Sequence, residues 1–168
     1  MEKSIDDVKK FWNENPLFSG ESEFEPGTIE FFEEHKKVYY NDVFAGNFNR
    51  QKLIPENLAG STVLDLVCGV GFWSTEILKN SNVKKLYFAD LSENAIEITK
   101  KRLNLYGLSG EPSIENAEKM KFPDNFFDFV NCQGVIHHTP DTDKAASEIA
   151  RVLKPEGIAY ISVYYKNF

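Results

Sequence analysis

Two rhythms divide the chain. In its first part apolar residues recur at helical spacing among charges. Ser4 is placed to cap a helix over residues 4–14, with Asp6 and Asp7 in the first turn, where the helix dipole favours acids. Residues 15–27 carry Pro16, Gly20, Pro26 and Gly27 and read as loop. Thr28 caps a second predicted helix through about Phe44, in which Ile29, Phe32, Val38 and Tyr39 are apolar among charges. Residues 45–60 are irregular, with a short helix predicted from Pro55. From there the rhythm changes. Strand-length apolar runs at 62–67, 85–89, 112–116, 127–132 and 158–164 alternate with helical stretches at about 72–80, 93–106 and 142–153. Ser92 and Asp141 stand as N-caps, and Gly107 and Gly157 sit where left-handed C-terminal residues belong. This alternation implies βαβ units, right-handed crossovers and a mainly parallel sheet covered on both faces.

Composition narrows the picture. A chain of 168 residues holds one domain with a full core. Its formal net charge of −7 disfavours nucleic-acid binding by bulk attraction. No apolar run approaches the ~20 residues of a membrane span. The opening MEKSIDDVKK has no signal-peptide core, and Cys68 and Cys132 make no disulfide framework. A cytoplasmic protein is expected.

In such sheets ligands lie at the carboxyl ends of the strands. There "VLDLVCGVGFW" places Gly69-Val70-Gly71 between a strand and a helix. Bare backbone at that point lets a ligand approach the free N–H groups of a helix start, although a plain tight turn reads the same way. A dinucleotide fingerprint needs a third glycine at position 74, which is Ser74. That counts against a nicotinamide-dependent oxidoreductase. Asp90 ends the second strand and can accept both hydroxyls of a ribose; otherwise it is simply an acid near the next helix start.

The run as a whole resembles the class I S-adenosylmethionine-dependent methyltransferases, and within them the small-molecule type related to the quinone-biosynthesis C-methyltransferases. The resemblance covers residues 61–164 and rests on "TVLDLVCGVG", "YFADLSENAIEITKKRL", "ENAEKMKFPDNFFDFV" and "GVIHHTPDTDKAASEIARVLKPEGIAYISV" in that order. It implies an α/β, doubly wound, Rossmann-like parallel sheet in the order 3-2-1-4-5, here without the family's last two strands. It implies a cofactor-binding core over residues 61–168 and a helical lid over residues 1–60. By the same resemblance Asp65 helps hold the cofactor's amino group, and Gly69 and Gly71 let its methionine part pass. Asp90 binds the ribose, Leu91 packs beside the adenine, and Asn116 and Ala117 face the adenine edge. Cys132 and Gln133 line the methionine end through their backbone. Two positions depart from the family. Val67 replaces a usual glycine, which implies an extended φ with the side chain turned away. Asn116 replaces a usual aspartate but keeps an acceptor oxygen.

The chemistry is thinner. His137 and His138 follow the fourth strand, and either can act as a base or simply pack and cap a turn before Pro140. Adjacent histidines share a metal poorly, and no metal is expected. Cys68 and Cys132 end neighbouring strands, as buried thiols or as a redox pair. The early aromatics, Tyr39 and Tyr40 foremost, serve as lid contacts or as packing. The family resemblance makes strand five an exposed edge, to be covered by further chain or by a second copy. The expected activity is methyl transfer to a small-molecule acceptor; the alternative is a truncated, non-catalytic cofactor-binding or interaction module.

Overall fold

The structure, a computed structural model, describes residues 4–49 and 52–163. Two helices lead: α1, Ile5–Glu14, and α2, Ile29–Phe44. The core follows as β1 (Thr62–Leu66), α3 (Phe72–Asn80), β2 (Lys85–Asp90), α4 (Glu93–Leu105), β3 (Glu111–Ile114), β4 (Phe127–Gln133), α5 (Thr142–Val152) and β5 (Leu153–Ser162). A single 3-10 turn, Ile136–His138, separates β4 from α5. Among the described residues the sheet has five strands in the order β3-β2-β1-β4-β5, every pair parallel. This is the expected topology.

The helix starts are local chemistry. The side chains of Ser4, Thr28, Ser92 and Asp141 each accept a backbone N–H three residues on, satisfying one of the donors that a helix start leaves unpaired. Ser4 and Asp7 complete a reciprocal capping box. The central strands β1 and β4 are buried on both faces. Val63 and Phe129 join Ile77, Trp73 and Leu86 on one side. Leu64, Leu66, Val130 and Cys132 join Ile149 and Val152 of α5 on the other. This two-residue alternation makes β1 and β4 the centre of the molecule.

Four expectations are corrected. Val67 is not extended: its φ is 58°. Gly157 does not end a helix. α5 stops at Val152, and Leu153 starts β5 at once by pairing with Phe127, five residues before the expected strand. The positive φ there belongs to Glu156, at 68°, and a Cβ on Gly157 would lie 2.9 Å from the Lys154 carbonyl oxygen. The third strand ends at Ile114, not 116, because Asn116 turns back to bridge Lys119. No helix forms at Pro55; Ile54 and Leu58 are instead buried against Trp73 and Phe129, so packing holds that segment. The end of the expected fifth strand, residue 164, lies outside the described residues. β5 is an edge strand, with Ile158 and Ile161 exposed. No helix among the described residues is long and apolar enough to cross a membrane.

Candidate functional site

The loop leaving β1 is built from left-handed backbone: Val67, Gly69 and Gly71 have φ of 58°, 54° and 76°. Its polar groups are tied down on every side. Cys68 N–H donates to the Ala89 carbonyl of β2 at 2.9 Å, and Gly71 N–H closes a turn on the Cys68 carbonyl at 2.8 Å. Thr99 and Arg102 of α4 donate to the Gly69 and Val70 carbonyls at 3.0 and 3.1 Å. The two glycines differ in purpose. A Cβ on Gly71 would come within 2.9 Å of the Thr99 methyl, so Gly71 lets α3 start close against α4. A Cβ on Gly69 would meet only Leu17, at 3.4 Å, and Gly69 lines an open cavity.

That cavity, of about 350 Å³, sits at the carboxyl ends of β1, β2 and β4. Asp90 closes β2 on its wall and is nearly buried. Its Oδ2 accepts the Gly69 N–H at 3.0 Å and its Oδ1 the Ser92 N–H at 2.9 Å. Each oxygen keeps further lone-pair capacity. Burial raises its pKa from 3.8 to about 6, against the pull of these N–H donors, so it is ionised at neutral pH. Glu115, just past β3, adds a second carboxylate to the lining, while among the described residues no lysine or arginine contributes to it.

Of the residues singled out from sequence, Gly69, Asp90, Leu91, Asn116, Ala117, Gln133 and His138 line this one cavity. Asp65, Gly71, Cys132 and His137 do not. Asp65 is buried behind the loop, its oxygens accepting from Ser74 Oγ at 2.5 Å and Asn131 Nδ2 at 2.8 Å. It thereby pins α3 and β4 to β1. Burial raises its pKa, and those two donors oppose the rise. Cys132 packs in the α5-side core, and burial pushes its thiol up to about 12. Both cysteines are free thiols. Asn116 spends an oxygen lone pair on the Glu118 N–H at 2.9 Å, which shapes the turn after β3. His137 lies against His138 with ring centroids 4.1 Å apart; partial burial, and then the His138 charge, lower its pKa.

The first helices supply a wall that sequence left open between lid and packing. Trp12 of α1 and Tyr39 of α2 line the cavity, and the Trp12 ring meets His138 edge-on at 6.2 Å. Tyr40, Phe44 and Phe48 instead pack against Phe72 and Trp73. His35 also lines the cavity. It escaped the sequence reading, although Phe31, His35 and Tyr39 recur at four-residue spacing, the signature of one buried helical stripe.

A parallel 3-2-1-4-5 sheet with a glycine turn after β1 and a buried acid ending β2 is the fold of the class I S-adenosylmethionine-dependent methyltransferases. Residues 64–161, more than half of the chain, match the family described as a methyltransferase domain, and the chain belongs to it. The ubiquinone/menaquinone biosynthesis C-methyltransferase UbiE of Hydrogenovibrio crunogenus is 36% identical over 101 residues, 58% of this chain and 40% of that one. Phosphoethanolamine N-methyltransferase 2 of Caenorhabditis elegans is 36% identical over 110 residues, 65% of this chain and 25% of that one. A solved SAM-dependent methyltransferase of Methanosarcina mazei is 27% identical with a TM-score of 0.56, covering 67% of this chain and 55% of that one. The chain thus spans well under half the length of these two curated relatives. The family's cofactor is S-adenosylmethionine. The residues present fit it: a buried carboxylate for ribose hydroxyls, bare backbone at Gly69, and a wall with two carboxylates and, among the described residues, no lysine or arginine. Such a wall suits a sulfonium and opposes the pyrophosphate of a dinucleotide.

Proposed function

We propose that the protein transfers the methyl group of S-adenosylmethionine to a small-molecule acceptor. The observation that carries this reading is Asp90, nearly buried, ionised at neutral pH and placed at the cavity wall by the Gly69 and Ser92 amides. Its remaining lone pairs accept the ribose hydroxyls. Leu91 packs on the adenine, and Asn116 and Ala117 present polar groups to its edge. Gly69 and Gln133 border the methionine part. Asp65, Gly71 and Cys132 act from behind the wall, holding the loop and β4 in place.

The cofactor, when bound, supplies a methyl group already activated by its positive sulfur. The chain therefore has to align the acceptor and exclude water. Trp12 and Tyr39 close the cavity from the N-terminal side, so α1 and α2 act as its lid. His138, set at the cavity by its 3-10 turn, is the base that takes a proton from the acceptor; His137 supports it from outside. The relatives' names span carbon and nitrogen acceptors. A wall whose described residues include no lysine or arginine favours an acceptor lacking phosphate.

Isothermal titration with S-adenosylhomocysteine tests the cofactor assignment, and the absence of binding at millimolar ligand overturns it. Asp90→Ala is expected to weaken binding roughly 5- to 150-fold, the equivalent of ~1–3 kcal/mol for losing the partner of buried polar groups. A second reading, cofactor binding without turnover, is favoured by the edge-on packing of His138 against Trp12, which gives the candidate base a structural role. Tight binding with no methyl transfer across a panel of phenols, quinols and amines would support it.

A further inference from the structure

His35 sits in the middle of α2 and is 4% exposed. Its imidazole lines the cavity, stacked on Tyr39 with ring centroids 5.5 Å apart and planes 15° apart. Phe18 meets it edge-on at 5.2 Å, and Phe72, the first residue of α3, lies 6.1 Å away. The ring is thus clamped beside the glycine loop, where α3 begins. Its Nδ1 is enclosed without a hydrogen-bond partner. An unpaired polar atom in such a place costs ~1–3 kcal/mol, and native cores leave few of them. Burial, and then the Arg102 charge, hold the imidazole at about 3, so it is neutral at neutral pH and carries one N–H donor. A phenylalanine would fill the same aromatic slot without that cost.

The cavity also lacks something. An S-adenosylmethionine amino-acid tail ends in a carboxylate, and among the described residues no lysine or arginine lines the wall to meet it. Neutral donors must do so, and His35 stands on the glycine-loop side, where that tail would lie. We propose that His35 is a ligand-binding residue whose Nε2–H, on the ring nitrogen that is not enclosed, donates to the carboxylate of the cofactor's amino-acid tail, with Tyr39 and Phe18 fixing the ring. The inference rests on the cofactor reading above and adds a contact from the N-terminal helices to the ligand.

Two probes separate the tail from the rest of the cofactor. S-adenosylhomocysteine has the amino-acid tail; 5′-methylthioadenosine has the same adenosine and thioether without it. Titration of the full chain should show that His35→Phe weakens S-adenosylhomocysteine about tenfold, the worth of one such hydrogen bond. Binding of 5′-methylthioadenosine should be unchanged, and His35→Gln should recover part of the loss. Unchanged affinity for S-adenosylhomocysteine overturns the proposal, as does equal weakening of both probes, which marks a role in shape only. Should His35→Phe fail to fold, the imidazole ¹⁵N resonances of His35 in the wild-type chain decide. They should move with S-adenosylhomocysteine and stay still with 5′-methylthioadenosine; the same response to both overturns the contact. Failure of the wild-type chain to bind either probe is a different result, since it removes the cofactor reading itself.

Discussion

Val67 carries a β-branched side chain at a φ of 58°, while that side chain packs against the α5-side core. The left-handed conformation costs a non-glycine residue roughly 1–2 kcal/mol, and the loop's hydrogen bonds on both sides enforce it. Replacing Val67 by alanine or glycine removes the packing in either case, but only glycine removes the strain. Val67→Gly is therefore expected to be the more stable of the two variants, read by thermal denaturation. Asp90 gives a second prediction. Its folded pKa of about 6 exceeds its ordinary 3.8, so the folded state binds the proton more tightly. Its contribution to stability is greatest below about pH 4 and is lost as pH rises through 6, by on the order of 2–3 kcal/mol. Asp65, also buried and acidic, adds to the shift. Urea titrations of the wild type and Asp90→Asn should show the difference between them moving in that direction and by that amount. Affinity for S-adenosylhomocysteine should move the other way, rising through the same window as the carboxylate ionises. His35 has the opposite linkage: it is held near 3, so its stability contribution is lost as pH falls below 6.5.

Among the elements, α4 does more than cover the sheet. Its Arg102 is 1% exposed, lies 5.0 Å from the Phe32 ring centre of α2 and donates to the Val70 carbonyl. One buried guanidinium thus joins the second helix, α4 and the cofactor loop, while its Nε lacks a partner. Replacing an incompletely paired buried charge by an apolar chain of similar length is often neutral or stabilising, whereas orphaning the carbonyl costs ~1–3 kcal/mol. Arg102→Met is expected to keep overall stability within about 1 kcal/mol yet weaken S-adenosylhomocysteine binding several-fold; unchanged affinity would show that the loop holds its shape alone. The element boundaries show what is local. Capping residues were readable at Ser4, Thr28, Ser92 and Asp141 because a cap is a contact across three residues. The start of β5 was not, because Leu153 is extended by pairing with Phe127, a partner 26 residues away.

At the scale of the molecule, α1 buries none of its residues yet sets Trp12 over the cavity. It is held to the core by Asn13, whose Oδ1 accepts from Ser92 Oγ at 2.8 Å and from the Asn94 N–H at 3.4 Å, and by an exposed Lys9–Glu93 pair at 3.0 Å. Surface pairs contribute little, so Asn13 is the principal tie. Ser92 also donates its N–H to Asp90, which puts the tie and the ribose site on one residue. Asn13→Ala is expected to speed amide exchange of Val8–Glu14 by about fivefold, the loss of ~1 kcal/mol, and to weaken cofactor binding, while β1 and β4 amides stay protected. Slower exchange or unchanged affinity would contradict a docked lid.

The strand and helix rhythm, the caps and the strand ends as the place of the site were legible in the sequence because periodicity and capping act through near neighbours and backbone geometry, while the sheet order and the individual strand-end residues followed from the family resemblance. Tertiary structure alone decided the conformation of Val67, the turning of Gly71 toward Thr99, the withdrawal of Asp65 behind the wall and the arrival of His35 at the cavity. Each depends on which side chain another element brings opposite, and such contacts, tens of residues apart in the chain, exist only once the helices have packed on the sheet.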